Sequence, residues 1–101
     1  MADKLALLQQ AVTLTETMLH QAQAGQWSEL APQQEQRAAM LVSIFPLSED
    51  EQTESCRQLI LTMIDHNQKL EALCRQAQQA LQLELSGLNK TRKAVAAYQS
   101  S

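Results

Sequence analysis

The sequence predicts an all-α protein: an antiparallel bundle of three main helices, with a short C-terminal fourth helix folding back on the long third one. Three observations predict it. Apolar residues recur at three- and four-residue spacing along most of the chain. The positions between them are rich in Gln, Glu, Lys and Arg, good helix formers, and no segment sustains strand alternation. Two Gly and two Pro in 101 residues leave few places for the chain to turn.

Asp3 is a suitable N-cap for a first helix running to about residue 24. Its apolar stripe is Leu5, Leu8, Val12, Thr15, Leu19 and Ala22, with Leu7, Ala11, Leu14 and Met18 in a second line beside it. So wide a face suits a helix that packs against two neighbours. Gly25 stands where a helix-terminating glycine commonly does.

Ser28 can cap a second helix over 28–45, with Trp27 just before it and Leu30, Ala38, Leu41, Ile44 and Phe45 directed inward. Pro32 falls near its first turn, where a missing N–H is mostly harmless, so an irregular start is expected. Trp27 reads as a plug for that end of the bundle. Pro46 stops the helix.

Ser48-Glu49-Asp50-Glu51 is a capping box that opens the longest helical pattern, 49–86. Its stripe includes Cys56, Leu59, Ile60, Met63, Ile64, Leu70, Leu73, Cys74, Ala77, Leu81 and Leu85. Asp65–Lys69 and Glu71–Arg75 are acid-before-base pairs at i,i+4. Asn67 interrupts the stripe, either to set register or to meet a partner. Gly87 lowers helical propensity by about 1 kcal/mol, and Leu88, Thr91, Val95 and Tyr98 mark a short fourth helix over 88–98. Within one domain, then, 1–87 is the bundle and 88–101 a regulatory helix and tail.

The helix lengths do not match. At 1.5 Å per residue the three span roughly 33, 27 and 57 Å, so the last sixteen or so residues of the third project past the others. Leaving their leucines in water forgoes about 1.5–3 kcal/mol for each that could be buried. A fold-back of the fourth helix, a second copy, or a partner's amphipathic helix could cover them. Ordering the eleven fold-back residues costs on the order of 11–20 kcal/mol of backbone entropy, which Leu88, Val95 and Tyr98 recover only in part. Such a lid is displaceable, and would compete with a partner helix for the same strip.

Other functions find little support. Net charge is −3, and the cations Lys90, Arg92 and Lys93 near the C-terminus read as a solvated face rather than a nucleic-acid surface. The acids Glu49, Asp50, Glu51 and Glu54 suit a helix N-terminus. No signal peptide or membrane-length apolar run is present, so a cytoplasmic location without membrane insertion is expected. Cys56 and Cys74, about 27 Å apart on one helix, cannot bridge. Thr17 precedes His20, and Met63 precedes His66, where a bundle metal site would need Glu. No catalytic residue, metal ligand set or cofactor site is expected.

The pattern resembles the FliT family of flagellar export chaperones. The resemblance is carried by Gln26-Trp27-x-x-Leu30 opening helix two, Leu61-x-x-Ile64-x-x-Asn67 along helix three, and the terminal Lys93-Ala94-Val95-Ala96-Ala97-Tyr98. It implies a cytoplasmic helical protein that binds the filament-cap protein (FliD) and prevents its premature assembly. It also implies contacts with the export ATPase complex and, in some bacteria, with the flagellar master transcription regulator. Ile64, Asn67, Leu70, Leu73, Ala77, Leu81 and Leu85 would form the partner-binding groove, and Leu88, Val95 and Tyr98 the lid. A structural homodimer or coiled-coil adaptor, with the projecting segments paired, is the alternative.

Overall fold

A computed structural model describes residues 3–100, and side chains over 3–97; the side chain of Tyr98 lies outside the described residues. Three α-helices and two short 3-10 turns account for nearly all of it.

Helix α1 is Lys4–Gln23. Asp3 caps it as expected, its Oδ1 accepting the Leu5 N–H at 3.0 Å. At the other end Gly25 takes φ 75°, a left-handed conformation that glycine adopts without penalty. The Gln26 N–H then donates to the Gln21 carbonyl at 2.8 Å, and the Gly25 N–H to the Ala22 carbonyl at 3.1 Å. These two bonds complete a Schellman cap. Leu8, Ala11, Val12, Thr15, Met18, Leu19 and Ala22 are buried, so both apolar lines face the interior.

The start of helix two differs from expectation. Ser28 does not cap it; it lies within a 3-10 turn, Trp27–Glu29, and helix α2 is Leu30–Ile44. Pro32 is its third residue, still within the turn whose N–H groups have no helical acceptor. Trp27 remains 39% exposed, a partial cover rather than a sealed plug. The inward face is also rotated. Ile44 is buried and Leu30, Arg37, Met40 and Leu41 half-buried, whereas Ala38 and Phe45 are exposed. Phe45 follows the last helical residue in an extended conformation, which turns it away from the helical stripe.

The capping box forms, with the Ser48 N–H donating to Glu51 Oε1 at 2.9 Å. It opens only a 3-10 turn, Glu49–Glu51. Helix α3, Glu54–Ser100, is capped instead by Thr53, whose Oγ1 accepts the Cys56 N–H at 3.2 Å.

The interruption expected at Gly87 does not occur, and residues 88–98 are not a separate fourth helix folded back on the third. Gly87 stays within α3, and Thr91 Oγ1 donates to its carbonyl at 3.0 Å. The physical reason is local. One glycine costs about 1 kcal/mol, and the flanking Leu, Glu, Lys, Arg and Ala favour helix. Ser-Gly pairs often mark turns, but Gly87 keeps a helical backbone here, and an isolated glycine within a helical pattern is tolerated.

The chain divides into two compact units, Met1–Glu71 and Ala72–Ser101. In the first, α1 and α2 form an antiparallel hairpin. Lys4 reaches the Pro46 carbonyl at 3.2 Å at one end, and Gln21 reaches Glu29 at 3.0 Å at the other. The early turns of α3 close it. Leu8, Ala11, Val12, Ile44, Cys56 and Met63 form the core, flanked by Leu5, Leu7, Met40, Leu41, Leu47, Leu59 and Ile60. This core is aliphatic, as a composition of 3% aromatics requires. The second unit is a single helical stretch of α3.

Candidate functional site

In the second unit, Leu73, Cys74 and Ala77 are half-buried, and every described residue from 78 to 97 is exposed. Leu81, Leu85, Leu88 and Val95 follow one another at steps of four, three and seven, which places them on one helix face. Leu85 is 51% exposed and Leu88 65%. Arg92 falls within this line, and Lys90 and Lys93 lie on either side of it in sequence. Leu83, which the sequence reading passed over, is an exposed leucine on another face. Leu88 and Val95, expected as a lid over the strip, therefore continue it in this arrangement.

The remaining groove residues belong to the first unit. Ile64 and Asn67 line a hollow of about 190 Å³ with Arg37, Leu41, Met63 and Gln68. Asn67 Nδ2 donates to Glu71 Oε1 at 3.2 Å, within its own helix. Glu71 is thus engaged by Asn67, and no Glu71–Arg75 ion pair is found among the described residues, although Asp65–Lys69 forms at 3.2 Å. Leu70 is 5% exposed. Its side chain is spent on packing and is not presented to a partner.

A larger hollow, about 710 Å³, lies at the corner between α2 and α3, lined by Phe45, Pro46, Leu47, Gln52, Thr53, Cys56, Arg57, Ile60 and Leu61. The sequence reading did not single it out. The signal was the apolar triplet Phe45-Pro46-Leu47 in a connecting segment, where polar residues are usual. Leu61 is 59% exposed there. Cys56 is a buried free thiol in its wall, and Cys74 is free and half-buried.

The corner is pinned to α1 through Glu51. Lys4 Nζ meets Glu51 Oε1 at 3.2 Å and the Pro46 carbonyl at the same distance. Hydrogen bonds from the Ser48 backbone and side chain, and then from Lys4, hold the Glu51 carboxyl below its ordinary value. Glu49 and Asp50, in the same 3-10 turn, are exposed, and Glu54 pairs with Arg57 at 3.7 Å.

Arg37, another residue the sequence reading missed, donates from Nη1 to Thr15 Oγ1 at 3.3 Å. Burial pushes its pKa down, and the nearby Glu71 carboxylate counters this. Among the described residues no three His, Cys, Asp or Glu side chains gather as metal ligands. No described helix is long and apolar enough to cross a membrane. What the surface offers is apolar area and charge, the means of binding another polypeptide.

The family model described as Flagellar protein FliT matches residues 5–100. No curated protein and no solved structure matches the chain.

Proposed function

This chain belongs to the FliT family of flagellar proteins, a family of export chaperones, and from that premise we propose that it binds a helical segment of the filament-cap protein (FliD) in the cytoplasm and prevents its premature assembly. The observation that carries the reading is the exposed strip of Leu81 and Leu85 on one face of α3, just before Gly87. An amphipathic helix laid along it would bury these leucines at about 1.5–3 kcal/mol each. Leu73 and Ala77, half-buried, extend the proposed contact toward the N-terminal side.

The segment after Gly87 acts in this proposal as a competitor. A break at Gly87 would let Leu88, Val95 and Tyr98 turn back over Leu81 and Leu85 and mask them. The low helical propensity of glycine supports this, as does the Thr91 hydroxyl bonded back to the Gly87 carbonyl, a feature that often bends helices. The export ATPase complex and the flagellar master transcription regulator are further proposed partners. No enzymatic activity is proposed.

The test is a calorimetric titration of the cap protein into the full chain, Leu81→Asp, Leu85→Asp and a chain ending at residue 87. Each Asp variant is expected to weaken binding roughly 10- to 100-fold, and the shortened chain to bind more tightly. Affinity unchanged by both Asp substitutions would refute the site. Affinity unchanged or reduced by the truncation would refute the masking.

A further inference from the structure

The corner between α2 and α3 holds an apolar opening of its own, built entirely from residues of the first unit. We propose that it docks a short basic amphipathic helix of another protein, one that carries two or three large apolar side chains with Lys or Arg a turn away. The proposal does not use residues 81–97, and it does not depend on the chaperone reading.

Three observations carry it. First, the groove offers apolar surface of the right extent. Leu47 and Ile60 in its lining are half-buried, while Phe45 and Leu61 keep 39% and 59% of their surface exposed. At about 710 Å³ it can take several side chains. The α3 part of its wall, from Thr53 to Leu61, runs for about 12 Å, which matches two turns of a docked helix.

Second, the groove is already built. Lys4 holds both Glu51 and the Pro46 carbonyl at 3.2 Å, and the Ser48 and Thr53 caps fix the chain between them. A partner meets a set surface and loses little free energy to ordering it.

Third, the edge carries charge that nothing in the chain answers. Four acids lie between residues 49 and 54. Glu51 is held by Lys4, and Glu54 faces Arg57 at 3.7 Å. Glu49 and Asp50 are exposed, and among the described residues neither carboxylate makes an ion pair or hydrogen bond. Apolar area attracts without regard to partner. Complementary charge is what selects one and fixes its direction, and two free carboxylates select Lys and Arg. A small apolar molecule could fill the hollow but would leave this edge unmatched.

Calorimetric titration and amide NMR of the full chain test this with three synthetic peptides of roughly fifteen residues, long enough to form helix. One is a Leu/Lys amphipathic peptide, one a Leu/Glu peptide of the same pattern, and one a Gln/Lys peptide without leucines. The Leu/Lys peptide is expected to bind at least about tenfold more tightly than either of the others, with amide shifts centred on residues 45–61. Leu61→Asp should weaken it by about tenfold or more. Glu49→Lys/Asp50→Lys should weaken it about tenfold and favour the Leu/Glu peptide instead, whereas Leu85→Asp should leave it unchanged. The charge reversal keeps every apolar position, so it stays decisive if Leu61→Asp loses helical content by circular dichroism. Equal binding of the Gln/Lys peptide would reduce the site to diffuse attraction and overturn the proposal. So would shifts centred on 81–97, or affinity lost in Leu85→Asp. Concentration-dependent shifts over 45–61 without peptide would place a second copy in the groove and also overturn it. None of these results bears on cap-protein binding, which is measured separately.

Discussion

Thr15, fully buried on α1, accepts a hydrogen bond from Arg37 Nη1 at 3.3 Å while its own hydroxyl donates to the Ala11 carbonyl at 2.8 Å. A polar residue thus occupies the centre of the α1 apolar face at no cost in unmade bonds, and ties α2 to α1 midway along the hairpin. Arg37→Met, which keeps the aliphatic stem, should destabilise by about 1 kcal/mol. Arg37→Ala should cost more, because the stem's packing goes too. In urea melts the double variant Thr15→Val/Arg37→Met should fall short of the sum of the singles by at least about 0.5 kcal/mol. Strict additivity would show that the contact contributes nothing.

Acid should loosen the corner before it unfolds the hairpin. The Glu51 carboxyl is depressed in the folded chain, so its stabilising contribution is present above the ordinary value of 4.5 and lost as pH falls through the lower folded value. Glu51→Gln should therefore be less stable than the native chain near neutrality, with the gap closing as pH drops below 4.5. A gap independent of pH between 3 and 7 (roughly the carboxylate window) would contradict this.

Gly25→Ala meets no neighbouring atom, yet φ 75° strains any L side chain. A loss of about 1–2 kcal/mol is expected, with the structure otherwise unchanged. Thermal denaturation measures it. A neutral result would mean the turn has relaxed out of the left-handed conformation.

Leu70 and Leu85 share a helix and a residue type, and should behave in opposite ways. Leu70, 5% exposed, should cost about 2–5 kcal/mol when cut to Ala. Leu85, 51% exposed, should stay within about 0.5 kcal/mol of native stability. Its loss should be felt in cap-protein affinity.

Gly87→Ala also meets open space, here at a helical position. It should strengthen the helix by about 1 kcal/mol. If the segment beyond it masks the strip by breaking there, the substitution should tighten cap-protein binding by up to about fivefold. Weaker binding would mean the break aids the client and does not compete with it.

Much of the fold was legible in the residues. The Asp3 cap, the Gly25 stop, the wide α1 face and the Ser48–Glu51 box each depend on groups a few positions apart, and local geometry alone decides them. The shift of the α3 start to Thr53 was less legible, because Ser48 and Thr53 are both competent caps. Arg37 as a seam residue was hidden altogether. Nothing in its neighbourhood along the chain reveals that a buried hydroxyl on another helix faces it.

By itself the sequence determined the helical class, the aliphatic core and the excess of apolar residues along the last helix, since periodicity and composition depend only on order along the chain. The tertiary structure decided which leucine became core and which stayed exposed, where α2 turned its face, and that Phe45, Pro46 and Leu47 joined Ile60 and Leu61 as one groove. Those outcomes rest on which surfaces the hairpin and α3 cover in each other, and spacing along a single helix carries no record of that.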